Sequence, residues 1–117
     1  MDGERIARRR RASHGVRRLS NLRKLARGKP CMVRLPGCDG GGETVVLAHY
    51  RMLPFNGVGI KPPDWLGAWA CARCHDAIDG RRRIEGYSRD QVRLAHAEGV
   101  FRTTAKVNEM IDRAVAS

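Results

Sequence analysis

The sequence predicts a small α+β fold stapled by its cysteines, with a long C-terminal helix and a basic N-terminal arm. Three observations predict it. First, the chain of 117 residues carries 4 Cys but only 2 Trp, 2 Tyr and 2 Phe, so a core poor in large side chains has a staple at hand. Second, residues 43–50 form a β-branched, largely apolar run that reads as a strand. Third, Val92, Ala95, Val100, Thr103, Val107, Met110 and Ala114 recur at helical spacing. The length suits one domain and a tail. The division expected is a basic arm with a short helix over residues 1–28 and a cysteine-containing domain over residues 29–117.

The formal net charge is +11, and it is uneven. Residues 1–29 hold eleven basic and two acidic side chains, whereas the remainder is close to balance. Arg8, Arg9, Arg10 and Arg11 run together, and Arg17 and Arg18 follow. Such arms bind polyanions by releasing counterions from phosphates, so nucleic acid is the partner expected. A membrane-surface helix fits less well, because the apolar stripe Leu19, Leu22, Leu25, Ala26 is thin and has no aromatic anchor. No apolar run approaches the roughly 18–20 residues of a membrane span, and the opening residues lack a signal-peptide core. The expectation is therefore a cytoplasmic protein without a membrane partner.

The elements follow in order. A short helix over residues 20–27 ends at Gly28, with Pro30 beyond it. Residues 31–38 read as a hairpin-like knuckle in which Val33 and Leu35 alternate and Pro36-Gly37 turns the chain. Residues 39–42 are a glycine-rich loop, and the strand over residues 43–50 follows. Residues 52–63 form a Gly/Pro loop, since Pro62-Pro63 excludes helix. Residues 65–70 lead into Cys71-Ala-Arg-Cys74, and a short helix starts at His75 and stops at Gly80. Ser88 and Gln91 make a capping box. It opens one helix from Arg89 to about Val115, with Gly99 as the place for a bend.

The cysteines are spaced Cys31-x6-Cys38 and Cys71-x2-Cys74, with 32 residues between the pairs. A redox pair or plain buried thiols would also fit parts of this pattern. Two separated thiol pairs in a reducing compartment favour a closed four-thiolate zinc site. Such a site contributes directly to folding free energy.

Two of the four histidines are singled out. His14 lies in the arm and reads as solvated, and His96 reads as a packed structural residue on the long helix. His49 ends the best strand, and His75 directly follows the second cysteine pair. A strand-end His and a helix His joined through a metal-stapled loop suit phosphodiester hydrolysis. One His takes a proton from water, and the other, helped by carboxylates, holds a divalent cation on the phosphate. Asp79 stands at i+4 from His75 and shares its helix face. It could equally cap the last turn before Gly80. Arg51, Lys61 and Arg73 lie near these motifs as candidate phosphate clamps.

The strand Val45–Tyr50 with its terminal His49, the Gly/Pro loop and Cys71-Ala-Arg-Cys74-His75 resemble the HNH, or His-Me finger, endonucleases, and Leu47-Ala-His-Tyr-Arg51, Lys61-Pro-Pro-Asp64, Gly67-Ala-Trp-Ala-Cys71 and Cys74-His-Asp-Ala-Ile-Asp-Gly80 carry a closer likeness. The closer likeness is to small phage and prophage nuclease proteins and to the nuclease half of phage recombination-enhancement proteins. It covers about residues 29–107. The resemblance implies a ββα-metal, treble-clef-like core and a Mg²⁺- or Mn²⁺-dependent DNA endonuclease leaving 5′-phosphate and 3′-hydroxyl ends. By position, His49 would be the general base and His75 a ligand of the catalytic cation. Cys31, Cys38, Cys71 and Cys74 would be the structural zinc ligands. Two positions depart from the family pattern. Ala48 stands where an acidic ligand is usual, and the family's middle Asn would fall near Leu66, with Asp64 two residues earlier as its substitute. Asp64 and Asp79 are thus the carboxylates expected beside His75. The competing class is a non-catalytic, zinc-stapled nucleic-acid-binding accessory protein, which Ala48 and Leu66 favour.

Overall fold

The structure is a computed structural model and describes residues 21–116. Its elements in chain order are α1 (Leu22–Ala26), β1 (Val46–His49), a 3-10 turn (Asp64–Leu66), β2 (Gly67–Ala70), α2 (Ala72–Ile78) and α3 (Arg89–Ala116). This is a small α+β arrangement with a two-stranded sheet and a long C-terminal helix. The Arg8–Arg11, Arg17 and Arg18 cluster and His14 lie outside the described residues.

α1 starts where the Asn21 side chain accepts a hydrogen bond from Lys24 N. It buries Ala26 completely and leans Leu22 and Leu25 on the core. The knuckle that follows is not a strand hairpin. A single bridge, Pro30 with Gly41, is all the pairing it has, and Arg34 adopts φ +58°, which interrupts an extended run. Val33 and Leu35 nevertheless both turn inward and are buried, and Met32 N donates to Trp69 O at 2.7 Å. Gly41 makes the return possible: at φ +140°, a Cβ there would lie 2.7 Å from Pro30 Cα.

The strand is shorter than the sequence predicts. Residues 43–45 are spent leaving the glycine turn, with Val45 N bonded to Gly42 O, and pairing starts only where Ala70 comes opposite Val46. β1 and β2 are antiparallel, with Leu47 opposite Trp69, Ala48 opposite Ala68 and His49 opposite Gly67. β2 is buried throughout, and this explains its composition. The Leu47 side chain occupies the space a Cβ on Gly67 would need. α2 begins at Ala72, inside the cysteine pair, so His75 lies within the helix rather than at its start.

The capping box forms as expected: Ser88 N donates to Gln91 Oε1 at 2.6 Å and Gln91 N to Ser88 Oγ at 3.1 Å. α3 then buries Val92, His96, Gly99, Val100 and Thr103, a stripe of helical period. The helix continues through Gly99. This glycine lets α3 press on the knuckle, where an added Cβ would lie 2.9 Å from Val33 Cγ2. Two polar contacts fix α3 to the sheet. His96 Nε2 lies 2.8 Å from Ala48 O, and Trp69 N donates to Thr103 Oγ1 at 2.9 Å. The core gathers about Trp69 between sheet, knuckle and α3. Among the described residues, no helix is long and apolar enough to cross a membrane.

Candidate functional site

The knuckle supplies Cys31 and Cys38, and the start of α2 supplies Cys71 and Cys74. Their four Sγ atoms lie within 4.8 Å of one another, with Cys38 and Cys71 Sγ 3.8 Å apart. Tetrahedral zinc with Zn–S bonds of about 2.3 Å places thiolates about 3.8 Å apart, so the donor set fits. Backbone amides turn toward the sulfurs: Asp39 N to Cys71 Sγ at 3.4 Å and Gly40 N to Cys38 Sγ at 3.2 Å. The Cys74 thiol hydrogen-bonds to Cys31 and lowers the latter's pKa to about 4, while Cys74 itself is raised by keeping that proton. Burial pushes the Cys38 thiol up. The thiols thus compete for protons, and a cation relieves that competition by accepting thiolates. The quartet can hold a metal ion such as zinc. Arginines tie the knuckle to α2: Arg73 Nε donates to Gly37 O at 2.7 Å and Arg82 to Pro36 O at 3.0 Å.

The end of β1 carries His49, and the 3-10 turn before β2 carries Asp64. Antiparallel pairing brings these two ends of the sheet together, and Tyr50 N closes them on Leu66 O at 2.9 Å. His49 Nε2 lies 2.6 Å from Asp64 Oδ1. Arg23 Nε, from α1, donates to the same oxygen at 3.2 Å. The hydrogen bond from His49, and next Arg23, hold the Asp64 carboxyl below the usual carboxylate range. Asp64 therefore stays ionised and fixes the imidazole.

On α2, His75 Nε2 and Asp79 Oδ2 face each other at 3.4 Å, one helical turn apart. Arg81 reaches the same Asp79 oxygen at 3.3 Å and Asp76 at 3.5 Å. His49, Arg51, Asp79, Arg81, Arg89, Arg93 and His96 line one open cleft of about 660 Å³. Two of its arginines are held by the fold. Arg89 donates to Ala77 O and Ile78 O. Arg93 lies 4.4 Å over the Tyr50 ring and donates to Arg51 O. The Arg51 guanidinium has no hydrogen bond or ion pair among the described residues. Burial lowers the His96 pKa, consistent with a neutral ring donating to Ala48 O. A second face of the molecule sets Arg23 and Lys24 of α1, and Arg27 just after it, beside His49.

A family model described as "Putative nuclease YbcO" matches residues 20–112. The chain belongs to the YbcO family. "Putative nuclease YbcO" of Escherichia coli (strain K12) and "Putative nuclease ybcO" of Enterobacteria phage 82 are each 46% identical to it over 88 residues, spanning 73% of this chain and 88% of theirs. A solved structure described as "Structure of a putative bacteriophage protein from Escherichia coli str. K-12 substr. MG1655" matches with a TM-score of 0.59 and 41% identity. That match covers 74% of this chain and 95% of the other. Membership of the YbcO family agrees with the likeness to small phage and prophage nuclease proteins drawn from the motifs.

Within this YbcO-family fold, His75 meets Asp79, but Asp64, expected beside His75 as a cation ligand, meets His49 instead, because the 3-10 turn closes on the end of β1. The structure places His49, Asp79 and Arg51 on one cleft. Lys61 is exposed on the 52–63 loop, and Arg73 is engaged with the knuckle. In the sequence Arg23 counts only as one of the basic residues of the first quarter, and nothing sets Arg81, Arg89 or Arg93 at the site. Arg89 and Arg93 stand four apart at the start of α3, a spacing that was readable. Arg23 meets Asp64 across 41 residues, which no local pattern announces.

Proposed function

We propose that the protein is an HNH-type, divalent-metal-dependent DNA endonuclease of phage or prophage origin, acting in phage DNA processing or recombination in the bacterial cytoplasm. The observation that carries this reading is the His49–Asp64 contact of 2.6 Å at the edge of an arginine-lined cleft. Family membership supports it.

The chemistry follows from the contact. An imidazole whose Nε2–H is given to a carboxylate has its lone pair on Nδ1. His49 Nδ1 is then the atom that removes a proton from water as the water oxygen attacks phosphorus and the 3′ oxygen departs. Asp64 holds the ring and stabilises the imidazolium that forms, and Arg23 keeps Asp64 ionised. Arg51 contacts phosphate. His75 and Asp79 would hold Mg²⁺ or Mn²⁺, for which two protein ligands suffice because substrate oxygens and water complete the shell. When bound, that cation supplies charge stabilisation at the phosphate and leaving oxygen.

In this reading Cys31, Cys38, Cys71 and Cys74 bind structural zinc in a treble-clef-like ββα-metal core. Residues 29–117 form the nuclease domain, and residues 1–28 form the arm. Arg8, Arg9, Arg10, Arg11, Arg17 and Arg18 of the arm, with Lys61 and Arg73, add phosphate contacts that carry no sequence information. The α1 cations beside His49 would lead a strand from the arm toward the site.

The test is cleavage of plasmid and single-stranded DNA with added Mg²⁺ or Mn²⁺ by wild type and His49→Ala. Both proteins are first shown to hold about one zinc, as one four-thiolate site requires. Cleavage lost in His49→Ala with DNA binding kept upholds the reading. If neither protein cuts in any metal while both bind DNA, the protein is instead a zinc-stapled nucleic-acid-binding accessory. Ala48, in place of an acidic ligand, is the residue that favours this second reading.

A further inference from the structure

The chain between His49 and Asp64 carries side chains the chemistry above does not use. It leaves β1 just after His49-Tyr50 and returns just before Asp64, so both of its feet stand in the general-base pair. Leu53, Val58 and Ile60 on this loop are exposed, and Trp65 at its end is 57% exposed. The rings of Phe55 and Trp65 meet edge-on, with centroids 5.3 Å apart and planes at 79°. Loops exposed to water are ordinarily polar, and an apolar cluster outside the core marks a binding surface. Cations accompany the Phe55–Trp65 pair: Arg51 and Lys61 lie on either side of Phe55 in the chain and are exposed, and Arg23 pairs with Asp64, the neighbour of Trp65.

Charge complementarity selects the occupant. Aromatic faces accompanied by cations suit a strand that offers both phosphates and free base faces. A duplex offers phosphates and base edges only, because its base faces are stacked on one another. Resting on the nuclease reading, we propose that Phe55 and Trp65 form a stacking platform for an unpaired nucleobase beside the phosphate that His49 serves. The preferred substrate is then single-stranded or locally unpaired DNA.

The experiment reads binding, without added Mg²⁺ or Mn²⁺, by fluorescence anisotropy of the zinc-loaded full chain. The probes are a mixed-sequence single strand of about 16 nucleotides and the duplex of the same sequence. Trp65→Leu keeps an apolar side chain and removes the ring, and Trp65→Phe keeps a ring. Single-strand affinity is expected to fall roughly tenfold in Trp65→Leu, and duplex affinity to change by less than about twofold. Trp65→Phe should stay near wild type on both. The salt dependence should not change, because a ring displaces no counterions. Unchanged single-strand binding by Trp65→Leu, or an equal loss on both probes, overturns the proposal. So does self-association of the wild type that Trp65→Leu abolishes while single-strand binding persists, since the patch then serves a second copy. Should Trp65→Leu fail to fold, Phe55→Leu decides on the same criterion. The assay does not read cleavage. A protein that binds single strands through Trp65 but never cuts DNA defeats the nuclease reading and leaves the platform standing.

Discussion

The carboxylate of Asp64 meets the imidazole of His49 at 2.6 Å across 15 residues of chain, and Arg23 holds the other side of the same oxygen. One strand end, one 3-10 turn and one helix therefore converge on a single hydrogen bond. The imidazole is fixed in orientation and tautomer by groups from three parts of the fold. If His49 is the base, Asp64→Asn should retain the shape of this contact and lose its charge. We expect kcat to fall by about 10–100-fold with KM for DNA changed little, as for other residues that orient a catalytic side chain. Arg23→Ala should cost only a few-fold, because its ion pair is exposed and screened. Initial rates on plasmid DNA check both, and an Asp64→Asn enzyme at wild-type speed would remove Asp64 from the mechanism.

The cysteine quartet should bind one metal and depend on it. Structural zinc contributes roughly 10–16 kcal/mol of apparent folding free energy in small domains. Cys71→Ser or Cys74→Ser should accordingly leave a chain that is unfolded or strongly destabilised at neutral pH. Cys38 is the least buried of the four, where water can replace a lost ligand, so Cys38→Ser should retain more structure. Metal content by mass spectrometry and thermal unfolding, before and after a strong chelator, check this order.

His96 should make the fold sensitive to mild acid. Burial lowers its pKa in the folded protein, so below the ordinary histidine value the unfolded chain takes up a proton that the folded chain refuses. Stability is then complete above about pH 6.5 and declines as the pH falls toward the lowered value. His96→Gln keeps a donor for Ala48 O and removes the titration. Urea midpoints between pH 5.5 and 7.5, as a window about the reference pKa, should slope for wild type and be flatter for the variant.

Two arginines of the same cleft should separate function from folding. Arg51 is free to meet phosphate, whereas Arg89 caps the Ala77 and Ile78 carbonyls of α2. Arg51→Ala should weaken DNA binding and reduce the salt slope by about one counterion's worth, with thermal stability unchanged. Arg89→Ala should lower thermal stability first, since the Ala77 and Ile78 carbonyls at the end of α2 lose a charged donor. Parallel anisotropy titrations and melting curves distinguish the two outcomes.

Much of this arrangement was legible in the residues. The capping box, the α3 stripe, the thiol pairs and the His75–Asp79 spacing are all local patterns, and local geometry decides them. β2 was not legible, because Gly67-Ala-Trp-Ala70 lacks β-branched residues. It is a strand because its small side chains fit beneath Leu47 and against α3. The knuckle was misread as a hairpin because Arg34 adopts a positive φ that its sequence does not signal. Gly99 suggested a bend, yet its role is set by Val33, 66 positions earlier in the chain. The pairing of His49 with Asp64 was not legible in the sequence, which put Asp64 beside His75 as a candidate cation ligand, whereas the fold sets it on His49. The contact depends on strand register, which a one-residue slip would abolish.

The Tyr50–Leu66 hydrogen bond at the foot of the 51–63 loop has an evolutionary corollary. It clamps the ends of the loop independently of what lies between them, so the loop resembles an interchangeable cartridge on a fixed socket. Closing a loop twice as long costs only about 0.6 kcal/mol more. Insertions and wholesale exchanges there are therefore affordable, and they leave the His49–Asp64 contact in register. The loop can thus vary while the His49–Asp64 contact stays in place, and if that contact is the base pair proposed above, target preference and bond-breaking chemistry can change on separate schedules.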